Sequence, residues 1–444
     1  MNDHSVAHAS LTSLWQSARS DAAGWISVAG TCRERPLDLL ARALALGRPF
    51  FFRQSADRRH SILGLGDLVR LQAAGPDRLQ AVAQAARSLG APVLLGAFAF
   101  SGRRPLTPPF GPFAPADFIV PQLLIEERDG ETSVRLFGRS AEPRAEDPAD
   151  LFRALLGAAA PPAQTGRLRS VDVPGARDAW RAEVLRARDA IRRGSLQKVV
   201  LSRTSHTLAT APIDPARVVR ALSEREQGCR VFAVHRAGRT FLGATPEGLV
   251  AVEDGVAEVP CLAGSTGRGR TDGEDRALGE ELLSSGKNRS EHDYVVQAVT
   301  RALRDLGLAP QLPGGPELLR LRSLQHLLTP VRAALAEDVS LFDLAAALHP
   351  TPAMGGTPPD LARAWICEHE RLPRGLYSGG VGFWRSDGSG AIDVAIRCAL
   401  VQDSRATLWA GCGIVGDSDP DEELRETELK FRPMRQALRE AIAS

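Results

Sequence analysis

A chain of 444 residues, 43% of them hydrophobic, can hold two or three average domains or one large α+β unit with a substantial core. Its net charge is only +2 and its charges are interspersed, which excludes the basic stripe of a nucleic-acid-binding protein and the polybasic patch of a membrane-surface protein. The N-terminal residues show no export signal, and the longest apolar stretch, Ala91 to Phe100, is too short to span a bilayer. The six cysteines form no C-x-x-C pair, which is typical of free thiols in a reducing compartment, so we expect a cytoplasmic protein.

A stretch rich in small residues and proline, from Gly157 to Gly166, predicts a linker. It divides the chain into an N-terminal variable α/β portion over residues 1–165, packed on the same unit, and a portion over residues 166–444 that carries most candidate functional residues. Before the linker, the patterns predict helices over Leu39–Leu46 and Leu79–Leu89 and strands over Val93–Phe100 and Ser133–Leu136.

After the linker, strands come in runs and in neighbouring pairs. The predicted helices are Trp180–Arg193, Asp275–Leu283, Glu291–Leu306, Leu361–Glu370 and Asp421–Ile442. The predicted strands are Lys198–Leu201, Val231–Val234, Thr240–Leu242, Leu249–Val252, Gly380–Trp384, Ala391–Leu400 and Ala406–Ala410. With a meander expected over 383–410, the sequence predicts an α+β fold with large antiparallel sheets flanked by helices.

Arginine supplies nearly all of the positive charge: only three of the 55 Lys+Arg residues are lysine, at Lys198, Lys287 and Lys430. A guanidinium does not lose its proton in a protein, whereas an ammonium can become a base or serve as a compact point charge. Isolated lysines are usually solvated charges, but Lys198 lies in an apolar, strand-like run where a solvated charge is not expected. The three lysines are therefore candidates for chemistry.

Two acidic positions at predicted helix starts could bind a divalent cation. Glu423, Glu426 and Lys430 are spaced three and four residues apart, on one face of the last helix, and Glu291 opens another helix. Two carboxylates from separate helix starts can hold Mg²⁺ and leave positions for water and an anionic ligand. By spacing alone, ordinary surface ion pairing of Glu426 with Lys430 is the alternative.

The run Gly411-Cys-Gly413-Ile-Val-Gly416 matches the G-x-G-x-x-G pattern after a strand. In a dinucleotide site the glycines open a helix that leads to another strand, but here a short polar segment intervenes and the rest of the chain is nearly all helical. No βαβ unit can be completed. The glycines are predicted either to bring backbone N–H groups close to an anionic ligand or to form a tight turn.

Lys198 and Glu247 could form a base and acid pair, because each lies at an apolar strand. Burial lowers the pKa of lysine and raises that of glutamate, which prepares one group to accept a proton and the other to donate one.

Ten short motifs occur in one order along the second portion. They are Lys198–Arg203, Gly243–Glu247, Leu262–Ser265, Lys287–His292, Gln325–Leu327, Leu348–Ala353, Arg374–Gly379, Ile396–Arg397, Gly411–Val415 and Glu423–Lys430. With them the chain resembles the chorismate-utilising enzymes: isochorismate synthases, salicylate synthases, anthranilate synthase large subunits and aminodeoxychorismate synthases. The resemblance covers 170–444 closely and 1–165 loosely. It implies the anthranilate synthase component I-like fold, with 166–444 as the chorismate-binding catalytic domain.

The resemblance implies a Mg²⁺-dependent enzyme. Glu291 and Glu426 match the Mg²⁺ ligands, and the metal would bind the ring carboxylate of chorismate. Lys198 matches the base that activates water for attack at ring carbon 2, and Glu247 matches the acid that protonates the departing 4-hydroxyl. The implied substrate contacts are Gly264, Ser265, Ala353, Tyr377, Ile396, Arg397, Gly411, Gly413 and Lys430. Glu423, His326 and Lys287 are implied to surround the metal site.

Four positions bear on which member of the family the chain resembles. Aminodeoxychorismate synthases place a nucleophilic lysine where this chain has Ala263, so water is favoured as the nucleophile. Salicylate synthases typically have threonine at the position of Ala353 and leucine at that of Ile396, and both residues here resemble isochorismate synthases. Tyr377 is phenylalanine in some isochorismate synthases and keeps salicylate synthase as an alternative. The Leu-Leu-Glu-Ser feedback motif of anthranilate synthases was not found, although anthranilate synthase component I remains a further alternative.

The resemblance therefore favours an isochorismate synthase, and the long N-terminal half favours the menaquinone over the siderophore pathway. An inactive relative serving as a binding or regulatory subunit is disfavoured, because the catalytic and metal-binding residues are retained together. We expect chorismate as the small-molecule substrate, a monomer or weak homodimer, no obligatory glutaminase partner, and no nucleic-acid or membrane partner.

Overall fold

Two antiparallel sheets carry the fold in this computed structural model, which describes residues 11–102, 106, 108–140, 147–162, 164–171, 173–322, 324–370 and 373–443. The strands are β1 (Trp25–Thr31), β2 (Phe50–Gln54), β3 (His60–Leu65), β4 (Val69–Ala73), β5 (Val93–Phe98), β6 (Ala116–Val120), β7 (Leu123–Arg128), β8 (Glu131–Arg139), β9 (Leu168–Val171), β10 (Lys198–Ala209), β11 (Arg230–Arg236), β12 (Arg239–Thr245), β13 (Gly248–Glu253), β14 (Val256–Gly267), β15 (Glu317–Arg320), β16 (Leu324–Ala334), β17 (Gly356–Thr357), β18 (Gly380–Arg385), β19 (Gly390–Val394), β20 (Cys398–Gln402) and β21 (Arg405–Ile414).

The first sheet has twelve strands in the order β1-β8-β7-β3-β2-β11-β12-β20-β21-β10-β17, with β9 also paired to β10. The second has nine strands in the order β15-β16-β14-β13-β19-β18-β5-β6-β4. The strand pairings are antiparallel, so the predicted class of large antiparallel sheets flanked by helices is confirmed.

Helices cover the outer faces of both sheets. They are α1 (residues 11–17), α2 (Pro36–Ala45), α3 (Arg78–Leu89), α4 (Pro148–Gly157), α5 (Ala176–Arg192), α6 (Pro215–Arg225), α7 (Asp272–Ser284), α8 (Gly286–Asp305), α9 (Leu341–Leu348), α10 (Pro359–His369) and α11 (Pro420–Ala443). Within the ranges that the structure describes, no helix is long and apolar enough to cross a membrane.

Strand β11 illustrates why the central strands are continuously apolar. Its side chains alternate between the two faces of the first sheet. Val231 and Ala233 join the core beneath α2, α4, α6 and α11, whereas Phe232 and Val234 join the core between the sheets. Because both faces of β11 are buried, apolar residues are favoured at successive positions instead of alternating with polar ones.

Short turns between strands follow from local sequence. The β7–β8 hairpin turns at Asp129 and Gly130, with φ values of 50° and 88°, and the β13–β14 hairpin turns at Asp254 and Gly255, with φ values of 49° and 73°. Two successive positive φ values are the requirement of the tight hairpin turn that favours Asp-Gly.

The two predicted portions contribute strands to the same sheets. In the first sheet β2 pairs with β11, and in the second β5 pairs with β18. A boundary at residues 165/166 stays a prediction, but any such boundary is crossed by strand pairing in both sheets.

The prediction of a single strand over Ala391–Leu400, within a meander over 383–410, is wrong. The chain leaves the second sheet at the end of β19 and enters the first sheet at the start of β20, with residues 395–397 between them. The apolar run is continuous because both strands are buried, so hydrophobicity alone does not reveal the break. The other predicted elements are confirmed, most with boundaries a few residues away, although β10 continues eight residues beyond the predicted end at Leu201 and α8 begins five residues before Glu291.

Candidate active site

The candidate site lies where two chain segments pass from one sheet to the other. The first follows β12 and leads into β13, and the second joins β19 to β20. The two segments hydrogen-bond to each other: Ala244 N–H donates to the Arg397 carbonyl at 3.3 Å, and Val394 N–H donates to the Glu247 carbonyl at 3.0 Å. This seam between the sheets therefore brings together Glu247 and Arg397, which are far apart in sequence.

Arg397 occupies a strained position at the seam. Its φ is 52°, in the left-handed region that residues other than glycine rarely adopt, and its side chain is half-buried. Its guanidinium makes no hydrogen bond or salt bridge with any described residue. A half-buried cation without a partner is costly, and an anionic ligand would remove that cost.

Glu247 is half-buried at the same seam. Burial raises the pKa of its carboxyl to about 7, against the opposing effect of the cations Arg397, Lys430 and Arg230. A carboxyl group with such a pKa is partly protonated at neutral pH and can donate a proton.

Lys198 begins β10, and its side chain is 22% exposed. Its Nζ donates to Glu291 Oε1 at 2.7 Å. The neighbouring strand β21 makes room for this side chain at Gly413, because a Cβ there would lie 2.7 Å from Lys198 Cε. Gly411 similarly leaves room for Tyr377, whose Oη would lie 2.8 Å from a Cβ at that position.

The first two glycines of the pattern, Gly411 and Gly413, lie within β21 and not in a tight turn, whereas Gly416 lies in the turn that follows the strand. Val200 N–H, opposite Gly413 in the ladder, donates outward to the Gly355 carbonyl rather than to β21. Residues directly opposite each other share their hydrogen-bonding direction, so the N–H groups of Gly413 and Gly411 point away from β10. Strand β20 pairs with β21 no further than Leu408. These N–H groups are thus presented at a free strand edge, as an anion site requires.

Glu426 and Lys430 form an ion pair on one face of α11, with Lys430 Nζ 2.6 Å from Glu426 Oε1, which is the contact that the spacing gave as the alternative to a metal site. Lys430 Nζ also donates to the Gly411 carbonyl at 2.7 Å, which ties the helix to β21. Glu423 Oε1 instead accepts a hydrogen bond from Ser418 Oγ at 2.8 Å. Burial raises the pKa of Glu423, and the nearby Glu426 carboxylate adds to the increase.

The prediction that Glu291 opens a helix is wrong. Helix α8 begins at Gly286, where Ser285 Oγ accepts a hydrogen bond from Asn288 N–H, and Glu291 lies further along. The side chains of Glu291 and Glu426 are 45% and 50% exposed, and each bonds a different lysine. Within the part of the chain that the structure describes, no three acidic, histidine or cysteine side chains form a metal cage. Two accessible carboxylates nevertheless fit a Mg²⁺ ion that takes its other ligands from water and substrate.

Ser265 and His326 form a hydrogen-bonded pair, with Oγ and Nδ1 2.8 Å apart. A register shift in the β14–β16 ladder at Gly264, whose φ is 76°, redirects Ser265. Burial, together with the nearby cations Arg397 and Lys430, lowers the pKa of His326 to about 4, so the imidazole is neutral at pH 7. Its buried Nε2 has no hydrogen-bond partner. The contact observed for His326 is thus with Ser265, and its assignment beside the metal stays a prediction.

The remaining predicted contacts line the same region. Ala353 and Ile396 are half-buried against the core between the sheets, and Tyr377 is 4% exposed. Burial raises the pKa of the Tyr377 hydroxyl well above its usual range. The side chain of Lys287 lies outside the described part of the structure.

The sequence motifs do not single out a buried ion pair that lies beside the site. Arg374 and Glu370 form a salt bridge at 2.6 Å, with side chains 2% and 7% exposed. Arg374 was noted only as part of a motif, and the spacing of four residues from Glu370 was the available signal.

Comparisons with known proteins agree with this geometry. A family model described as chorismate binding enzyme matches residues 12–439, which includes the N-terminal portion that the motifs cover only loosely. The salicylate biosynthesis isochorismate synthase of Pseudomonas aeruginosa is 39% identical over 357 residues, which are 78% of this chain and 74% of that protein. Isochorismate synthase MenF of Bacillus subtilis is 41% identical over 262 residues, which are 59% of this chain and 56% of that protein.

A solved structure shares the whole fold. MenF from Escherichia coli, a menaquinone-specific isochorismate synthase, superposes with a TM-score of 0.84 over 98% of this chain and 100% of that chain, at 24% identity. At that identity the likeness concerns the fold alone. Together with the family match along nearly the whole sequence, it means that this chain belongs to the family of chorismate-binding enzymes.

Proposed function

We propose that this chain is an isochorismate synthase, a Mg²⁺-dependent isomerase that adds water at carbon 2 of chorismate and removes the 4-hydroxyl. The observation that carries the proposal is the charge arrangement at the seam. The Arg397 guanidinium makes no hydrogen bond or salt bridge with any described residue, the N–H groups of Gly411 and Gly413 are at a free strand edge, and Glu247 beside them has a pKa of about 7. Such a site accepts a carboxylate and offers it a proton donor.

In the proposed reaction Lys198 and Glu247 move the two protons. Lys198 takes a proton from the attacking water, and Glu247 gives one to the departing hydroxyl, aided by the Ser265–His326 pair. The two side chains come from β10 and from the end of β12, which are separated in the sheet by β21 and β20. They therefore approach a bound ring from different directions. To accept a proton, Lys198 must first be neutral, and its contact with the Glu291 carboxylate favours the charged form.

Binding of the substrate is assigned to the remaining groups. Arg397, Lys430, Tyr377 and the two glycine N–H groups would bind the carboxylate of the enolpyruvyl side chain. Glu291 and Glu426 would bind Mg²⁺, which when present neutralises the ring carboxylate. Ala353 and Ile396 would contact the ring.

Salicylate synthase and anthranilate synthase component I are the alternative activities. Salicylate formation also eliminates pyruvate, which requires the enolpyruvyl side chain to be held in a reactive pose. The small side chain of Ala353 leaves space at the substrate, and this favours release of isochorismate. Anthranilate formation needs ammonia, and we infer no obligatory glutaminase partner.

The cellular context is also a proposal. A menaquinone pathway is favoured over a siderophore pathway by the N-terminal half, and the MenF likeness in fold is compatible with it. All six cysteines are unpaired, which supports a reducing, cytoplasmic location. A monomer or weak homodimer stays our expectation.

A test of chorismate turnover needs only the purified chain. Chorismate absorbance should fall with Mg²⁺ present and stay constant with EDTA. Glu291→Gln and Glu426→Gln should each require much more Mg²⁺ for half-maximal rate, because a neutral amide binds the cation less strongly. Unchanged metal dependence in both variants would move the metal site elsewhere, and absence of turnover with Mg²⁺ would reject the proposed function.

A further inference from the structure

The outer edge of β10 is completed by side chains rather than by a strand. Strand β17 pairs with β10 only at Lys198 and Val199, and β9 pairs with it only from His206 onward. Between these two strands, the backbone N–H and C=O groups on the edge of β10 have no strand to pair with, and buried backbone groups need hydrogen-bond partners. Here the Val200 carbonyl accepts a hydrogen bond from Arg374 Nη2 at 2.6 Å, and Ser202 N–H donates to Glu370 Oε1 at 2.9 Å.

Arg374 also holds two other segments of the candidate site. Its Nη1 donates to the Met354 carbonyl at 2.8 Å, directly after Ala353. Its own carbonyl accepts a hydrogen bond from Tyr377 N–H at 3.0 Å. Its guanidinium stacks over the Phe100 ring at 4.3 Å. The Arg374 side chain therefore joins β10, which carries Lys198, and the segment of Ala353 to its own segment, which carries Tyr377.

The ion pair with Glu370 fixes the plane of this guanidinium. Nε lies 2.9 Å from Glu370 Oε2 and Nη2 lies 2.6 Å from Oε1, which is the two-point geometry that only arginine offers. Burying such a pair is costly and often contributes little net stability. The ion pair instead fixes the orientation of the guanidinium, so that one N–H group points at the Met354 carbonyl and another at the Val200 carbonyl.

We propose that Arg374, oriented by Glu370, is a positioning residue that sets the placement of Lys198 relative to Ala353 and Tyr377. The inference rests on the proposed function for its kinetic consequence. Lysine at position 374 could still pair with Glu370, but its single ammonium cannot reach both carbonyl groups in the same plane. Lys198 would then be displaced, and misplacement of a reacting group by about 1 Å can cost about 10²-fold in rate.

Arg374→Lys and Glu370→Gln are the test variants, and Arg70→Lys is the matched control. Arg70 makes a two-point contact with the buried Asp117 and donates to the Pro112 carbonyl, but contacts no residue of the site. For each variant we would measure kcat and KM for chorismate per folded molecule, the melting temperature, and amide hydrogen exchange over 198–202 and 353–377. If Arg374→Lys fails to fold, Glu370→Gln carries the test, since glutamine keeps an acceptor for Ser202 N–H but loses the ion pair.

We expect kcat per folded molecule to fall about 10²-fold in the site variants, with a much smaller change in KM and faster exchange confined to the two segments. The control should lose melting temperature without losing kcat. An unchanged kcat per folded molecule, or a loss no greater than in the control, would overturn the inference while the wild type still makes isochorismate. A wild type without turnover would instead reject the proposed function. In that case the hydrogen-exchange measurement still tests the positioning role of Arg374, and exchange that is unchanged in the site variants would overturn that role.

Discussion

At the residue scale, the two groups proposed to move protons lie in different surroundings. Glu247 is half-buried at the seam, and its carboxyl group makes no hydrogen bond with any described residue. Burial raises its pKa to about 7, so the neutral form is favoured below about pH 7. Lys198 is bonded to a carboxylate that the proposed metal site also uses. The raised pKa of Glu247 supports its assignment as the acid, whereas the assignment of Lys198 as the base rests on the family resemblance.

Replacement of Lys198 tests the base directly. Lys198→Ala should lower kcat by about 10²- to 10⁴-fold, the usual contribution of a general base, while circular dichroism and melting temperature stay close to the wild type. Lys198→Arg should be as inactive, because a guanidinium cannot accept the proton. A folded variant of either kind with near-normal rate would remove Lys198 from the mechanism.

The raised pKa of Glu247 predicts a pH dependence. The acid must be protonated, so kcat/KM should decline as the pH rises through about 7, and Glu247→Gln should lack this decline at a much reduced rate. The pKa of this carboxyl is 4.5 in the unfolded chain and about 7 in the folded protein. Between these pH values the folded protein holds a proton that the unfolded chain has lost, so the stability should fall as the pH rises from about 4.5 to 7. Glu247→Gln should lose that part of the pH dependence of melting temperature. A pH-rate profile that is identical in the variant would contradict the assignment.

At the element scale, strand β21 packs against two functional side chains, those of Lys198 and Tyr377. A Cβ at Gly413 would meet the Lys198 side chain, and a Cβ at Gly411 would meet the Leu201 carbonyl and the Tyr377 hydroxyl. The sequence pattern alone left two interpretations of these glycines. The strand register decides between them, since both lie inside a ladder whose N–H groups face a free edge.

A methyl group on β21 should therefore interfere with the base. Gly413→Ala would place a Cβ 2.7 Å from Lys198 Cε, so the flexible lysine side chain should shift and kcat should fall about 10²-fold with little loss of stability. Gly416→Ala is the matched control, because its Cβ would lie 3.7 Å from the nearest atom, Ile191 Cγ2, in ordinary contact. Equal rates for the two variants, measured with equal folded fractions, would show that Lys198 does not act from this position.

Helices and strands were predicted correctly where the sequence shows a regular hydrophobic pattern. The prediction failed where a single residue turns the chain from one sheet into the other. Helix α11 and the strands β11 to β13 were found from their patterns. The break at 395–397 was missed, because an arginine with positive φ gives no compositional signal of the kind that glycine gives. The predicted start of α8 at Glu291 is five residues late, because the first turn, Gly286 to Arg289, contains glycine and polar residues and no apolar position that marks a helix.

At the scale of the whole molecule, the site is a product of topology. Glu247 and Arg397 meet because two segments cross between the sheets, and no spacing along the chain encodes that meeting. The roles of the site residues came from the family resemblance, and the family itself is confirmed along residues 12–439. The N-terminal half adds strands to both sheets, including β2 beside β11 and β5 beside β18, which the loose resemblance over 1–165 did not predict in detail.

The most direct measurement of the central claim is the product formed from chorismate. Purified protein would be incubated with chorismate and Mg²⁺ at neutral pH, the products separated by chromatography, and pyruvate measured with a coupled lactate dehydrogenase assay. The proposed function predicts isochorismate in equilibrium with chorismate, with little salicylate or pyruvate. Pyruvate released in proportion to the chorismate consumed, together with salicylate, would contradict it and assign this chain the salicylate synthase activity.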